Sequence, residues 1–158
     1  MCTVRSFIIL LVVASALGAG AWVLYFVKTH RAYSVPSSSM EPTIMQGEKI
    51  LVDPDAYDHA APLRGAVVII QHKPDNLFIA KRVIAIGGDT IEGRKGNVFL
   101  NGRFKVNPGE LFVMGDNRDV AYDSRQPQYG SVPQSELRGR VLSIGSSPIV
   151  GRAGKEVH

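Results

Sequence analysis

The sequence predicts a mainly β fold: an antiparallel, barrel-like domain behind one N-terminal transmembrane helix. Three observations predict it. Residues 7–27 carry no charged side chain. Beyond them, short β-branched or aromatic runs recur between Gly, Pro, Asp and Asn residues. No long amphipathic helical period follows the apolar run.

The apolar run comes first. At a helical rise of about 1.5 Å per residue it covers roughly 30 Å, the thickness of a bilayer's hydrocarbon core. Trp22, Tyr25 and Phe26 cluster near its end and Lys28, His30 and Arg31 follow, the pattern of a helix leaving a membrane. Arg5 before the run, with Ala14-Ser15-Ala16 and Ala19-Gly20-Ala21 inside it, also fits a cleaved signal peptide, but such peptides usually have a shorter apolar core. An anchor is therefore expected at 7–27, after a short flank at 1–6. Arg5 and the amino terminus compete with Lys28 and Arg31, so flanking charge does not choose an orientation. Strands are expected at 49–52, 66–70, 78–85 and 111–114. Residues 97–100 and 103–106 flank Asn101-Gly102, a hairpin signal because both turn positions need positive φ. The β-rich domain should thus occupy 28–145. The polar, glycine-containing stretch 146–158 reads as a flexible tail.

Composition excludes several functions. A net charge of +4, with 18 Lys+Arg against 14 Asp+Glu, is modest for a chain of 158 residues. The cations are scattered, so despite a pI near 9.4 no nucleic-acid partner is expected. One cysteine, Cys2, rules out an internal disulfide framework. His30, His59, His72 and His158 lack the spacing of a zinc ligand set, and Gly87-Gly88-Asp89 lacks the lysine and helix of a phosphate loop. No metal and no cofactor is signalled, and oligomeric state leaves no trace in the sequence.

Three segments could carry chemistry. In Val35-Pro36-Ser37-Ser38-Ser39-Met40-Glu41-Pro42-Thr43, two prolines stiffen a serine-rich, non-helical stretch; a hydrogen-bonded turn is the plainer account. Lys81 lies in a strand, where it shares one face with Val83 and Ala85 while Arg82 takes the other. A serine needs a base, and a desolvated lysine can be neutral near physiological pH; alternatively Lys81 simply reaches to water. Gly115-Asp116-Asn117-Arg118-Asp119-Val120-Ala121-Tyr122-Asp123-Ser124-Arg125 follows a strand with turn formers and paired charges. That density reads as a tight supporting loop, with Asp123 held by Arg118 or Arg125.

Taken in order, these segments resemble type I signal peptidases, the membrane-anchored Ser/Lys endopeptidases that remove signal peptides from exported proteins. Residues 36–43 resemble the family's nucleophile box, 47–52 the strand after it, 81–89 its lysine box and 115–125 its terminal signature; Val132-Pro133 and 137–141 resemble its closing segment. The resemblance implies that Ser39 is the nucleophile and Lys81 the general base, with the Ser39 N–H and Ser37 Oγ forming the oxyanion site. It implies small-residue substrate pockets from Tyr33, Val35, Pro36, Met40, Ile44, Ile79 and Ala80, and supporting roles for Asp116, Asn117, Arg118, Asp123, Ser124 and Arg125. Expected partners are preprotein signal peptides of the Ala-x-Ala type and membrane lipid. The expected place is the bacterial cytoplasmic membrane, single-pass, with the catalytic domain on the extracytoplasmic side. Alternatives are a conjugative pilin-precursor peptidase of the same chemistry and a membrane-tethered β-domain that binds peptides without cutting. The chain departs from the family pattern at Ala121, where a serine usually helps orient the lysine, and at Gly87, usually proline, which should loosen its turn. Gln126-Pro127-Gln128-Tyr129 reads as a surface insertion, and the short separation of Asp89 from Gly115 leaves no room for the extra β-domain of many relatives.

Overall fold

The computed structural model describes residues 2–72, 76–92 and 102–158, with side chains from Ile8 onward. Helix α1 (Cys2–Thr29) comes first. Its Ile8–Thr29 stretch is long and apolar enough to cross a membrane, and none of it is buried within the protein. A helix that is apolar all round and packs on nothing needs another apolar medium. Thr29 Oγ1 closes the helix by donating to the Tyr25 carbonyl at 2.9 Å, and the chain enters β1 (Arg31–Ser34) directly.

The remaining strands are β2 (Lys49–Asp53), β3 (Val67–His72), β4 (Leu77–Ile86), β5 (Thr90–Glu92), β6 (Arg103–Lys105), β7 (Glu110–Met114), β8 (Val132–Pro133) and β9 (Leu137–Ser146). Seven of them form one antiparallel sheet in the order β1-β2-β9-β3-β4-β7-β8, and β5 pairs with β6. The sheet ends at β1 and β8, which do not pair with each other among the described residues, so the fold is barrel-like only loosely. The expected hairpin partner at 97–100 and Asn101 lie outside the described residues; the described partner of β6 is β5.

The core explains the strand sequences. In β3, Val67 and Ile69 join a cluster with Met40, Ile44, Ile50 and Val141, while Val68 and Ile70 join another with Val83, Leu111 and Val113. Both faces of β3 are therefore covered, which is why it reads as a continuous apolar run. Each such side chain, fully buried, contributes about 1.5–3 kcal/mol.

Two expectations are corrected. Residues 146–158 are not a loose tail. The Ile144 N–H donates to the Lys155 carbonyl at 2.8 Å, the Val157 N–H to the Leu142 carbonyl at 3.0 Å, and Val157 is buried in the first cluster. The glycines there, Gly151 and Gly154, have positive φ and mark turns that return the chain to β9. Nor is the turn at Gly87 loose. A Cβ there would lie 2.9 Å from the Asn107 carbonyl oxygen and 3.0 Å from Pro108 Cα, so the position is a close backbone contact.

Candidate active site

The serine-rich segment is a loop closed at its base by two backbone bonds: the Val35 N–H donates to the Glu48 carbonyl at 2.9 Å and the Gly47 N–H to the Val35 carbonyl at 2.8 Å. Within it, Glu41 N–H to Ser38 carbonyl and Ile44 N–H to Met40 carbonyl bonds form a compact turn. Met40 and Ile44, both buried, fix that turn to the core. Ser39 stands on it, half-buried. The opposite side is held by Asn117, whose backbone N–H donates to the Ser39 carbonyl at 3.1 Å and whose Nδ2 donates to the Ser38 carbonyl at 3.2 Å. Gly115 permits this approach: a Cβ there would lie 2.4 Å from Ala121 Cβ and 2.5 Å from the Ser39 carbonyl oxygen.

Strand β4 delivers Lys81 to the same place. Its register sets Lys81 opposite Val68 and Arg82 opposite Val67. Lys81 is 4% exposed, and its Nζ lies 3.0 Å from Ser39 Oγ. Ser37 Oγ is 3.3 Å from Ser39 Oγ. Burial pushes the Lys81 pKa below its ordinary value of 10.5; the Asp123 carboxylate opposes this shift and the Arg125 guanidinium adds to it. Desolvation wins because burial takes the ammonium out of water, which disfavours its charged form.

The supporting loop sorts its charges into two pairs. Asp123 is fully buried and takes Arg125 Nε at 2.9 Å, Arg125 Nη2 at 3.1 Å and the Gly115 N–H at 2.9 Å; Arg125, not Arg118, is its partner. Asp116 takes Arg82 Nε and Nη2, each at 2.7 Å. Ser124 Oγ accepts the Val113 N–H at 3.1 Å, tying the loop to β7. Arg118 Nη1 points instead at Met114 Sδ, 3.4 Å away.

A cleft of about 390 Å³ runs to Ser39 and Lys81, lined among others by Tyr33, Val35, Pro36, Ser37, Met40, Ile79 and Ala80. Ile44 is the exception among the expected pocket residues. It is 0% exposed and serves as a core anchor one turn below Met40, so its placement in the pocket is corrected. The cleft also takes Ile50, Ile69, Leu77 and Phe78, which the sequence reading missed; Ile50, Ile69 and Phe78 lay in runs already assigned to strands, whereas Leu77 lies one residue before the expected strand at 78–85. Another cavity of about 530 Å³, bordered by Tyr57, Arg64 and Arg140, contains no paired nucleophile and base. In the insertion, Pro127 and Gln128 are exposed, while Tyr129 stacks on His72 with ring centres 5.0 Å apart.

Comparison with known proteins gives this geometry its family. The model of the signal peptidase family, peptidase S26, matches residues 3–105 and 102–145, and the chain belongs to that family. It is 33% identical over 131 residues to a probable signal peptidase I-2 of Synechocystis sp., covering 68% of this chain and 59% of that protein. To the signal peptidase I of Aquifex aeolicus it is 47% identical over 105 residues, covering 61% and 40%. A crystal structure of a signal peptidase I from Enterococcus faecalis aligns with a TM-score of 0.42 and 25% identity, covering 53% of this chain and 98% of that one. The chain thus spans about three fifths of the length of the Synechocystis protein.

Proposed function

We propose that this chain is a membrane-anchored serine endopeptidase that removes signal peptides from exported preproteins, cutting after small residues of the Ala-x-Ala type. The observation that carries the reading is the 3.0 Å contact between Lys81 Nζ and Ser39 Oγ at the end of an apolar cleft. A neutral Lys81 amine takes the Ser39 hydroxyl proton as Oγ attacks the scissile carbonyl. The C–N bond then breaks, the new ammonium protonates the leaving amine, and an acyl-Ser39 ester remains. Lys81, neutral again, deprotonates a water that hydrolyses this ester and restores the serine. The oxyanion faces the Ser39 N–H and the Ser37 hydroxyl, donors fixed before charge develops.

Strand pairing supports an extended substrate. β4 pairs with β7 only from Arg82 onward, and β1 is an edge. Both therefore offer backbone groups along the cleft to an added strand. Ile50, Ile69 and Ile79 line the cleft, and their branched side chains favour a small substrate residue such as alanine over a bulky one. With α1 in the bacterial cytoplasmic membrane as a single pass, the cleft sits outside the cytoplasm within a few residues of the lipid, where signal peptides emerge. The test is cleavage of a preprotein by the full chain in detergent micelles. Product is expected from the wild type, absent with Ser39→Ala, and blocked by a bulky residue one or three positions before the cut. Peptide binding without product would refute the reading.

A further inference from the structure

Glu48 and Arg152 take no part in the proton transfers above, yet they form a concentrated polar cluster at the base of the nucleophile loop. Glu48 is 0% exposed. Its Oε1 accepts Arg152 Nε at 2.6 Å and Ser147 Oγ at 2.7 Å. Its Oε2 accepts the Met45 N–H at 2.8 Å and Arg152 Nη2 at 3.3 Å. Burial alone would raise the carboxyl's pKa, but these donors outweigh it and hold it below its ordinary value. The same Arg152 Nη2 donates to the Thr43 carbonyl at 2.8 Å and the Pro42 carbonyl at 3.3 Å. One guanidinium thus spans a buried carboxylate and the backbone of the turn that carries Ser39.

That turn behaves as a unit, because Glu41 and Ile44 bond back to Ser38 and Met40 across it. Asn117 grips its Ser39 side, and Arg152 grips its Pro42–Thr43 side. Arg152 is in turn fixed by the bonds that tie 154–157 to β9. We propose that Arg152 is a positioning residue for Ser39: through Glu48 and the Pro42 and Thr43 carbonyls it clamps the nucleophile loop so that Ser39 Oγ stays against Lys81. This rests on the Ser39/Lys81 reading and adds the C-terminal segment to the catalytic machinery. The rival role is purely electrostatic, the neutralisation of a buried carboxylate whose stranding would unfold the domain.

Full-length protein in detergent micelles separates these roles. For Arg152→Met, kcat per folded molecule should fall about tenfold or more with KM little changed, because the cleft strands are intact and only alignment is lost. The acid limb of the rate profile should move to higher pH as water reaches Lys81, whose facing charged groups, Asp123 and Arg125, are untouched. Glu48→Gln/Arg152→Met strands no charge, so its melting temperature should recover relative to Arg152→Met while kcat stays low. Recovery of kcat together with melting temperature overturns the proposal. A second readout does not need activity: amide exchange at Glu41, Ile44 and Met45 should quicken in Arg152→Met. Unchanged exchange there overturns the clamp even if the wild type cleaves nothing, an outcome that by itself sinks only the peptidase reading.

Discussion

Replacing Lys81 by methionine should make this protein inactive and more stable at once. Methionine fills nearly the volume of the lysine stem but has no amine to desolvate. Lys81 is 4% exposed, and its pKa lies below 10.5 because burial disfavours the ammonium. Between the lowered folded value and 10.5 the unfolded chain holds the proton more tightly, so wild-type stability rises with pH through that window. Below the window the full cost of the buried charge is present; above 10.5 it is gone. The advantage of Lys81→Met is therefore greatest below the folded value and shrinks as pH rises from there toward 10.5. A gain of about 0.5–2 kcal/mol is the usual scale for a single stabilising substitution, or about 1–8 °C in melting temperature for a chain of this size. Loss of the base should lower kcat by about 10⁴ or more. Thermal melts of both proteins in one detergent, followed by circular dichroism at a series of pH values, measure the first effect and peptide cleavage the second. A variant less stable than wild type at neutral pH, or an offset that does not change with pH, would mean that the amine is solvated and cannot serve as the base.

Much of this was legible in the sequence where chemistry and period coincide. Alternation along a strand put Lys81 on one face with Val83 and Ala85 and Arg82 on the other, without saying which face is covered; in the fold it is the Lys81 face, with Val83 and Ala85 buried beside it. The strands at β2, β3, β4 and β7 were visible as apolar runs. Strand β9 was not, although it lies between β2 and β3. Arg138, Gly139 and Arg140 break its apolar pattern, and Gly139 is there because a Cβ would lie 2.4 Å from the Asp53 carbonyl oxygen, a contact far away in sequence. The Arg82–Asp116 and Glu48–Arg152 pairs were hidden for the same reason: separations of 34 and 104 residues leave no local signature. Composition misjudged the C-terminal segment, since polar residues and glycines describe a docked turn as well as a frayed end. Asp123 had two candidate arginines in sequence, and only the fold could choose Arg125.

Four further substitutions separate the parts of the site from a control outside it. Ser37→Ala should lower kcat by about 10²–10³ through loss of one oxyanion donor, while the melt, since Ser37 is exposed, should move little; an unchanged kcat would remove Ser37 from the reaction. Asp123→Asn should destabilise the domain by about 3–5 kcal/mol by stranding the buried Arg125. In the molecules that remain folded, the acid limb should shift to lower pH, because the carboxylate that raises the Lys81 pKa is gone and the guanidinium that lowers it stays; a shift upward would contradict this. Gly115→Ala and Gly87→Ala make an informative pair, since each drives a Cβ into backbone and should cost about 1–3 kcal/mol as overpacking. At Gly115 the new Cβ meets both Ala121 Cβ and the Ser39 carbonyl oxygen, and at Gly87 the Asn107 carbonyl oxygen, so kcat per folded molecule should fall about 100-fold in the first and hold in the second; equal losses would show that the close approach at Gly115 does not set the nucleophile.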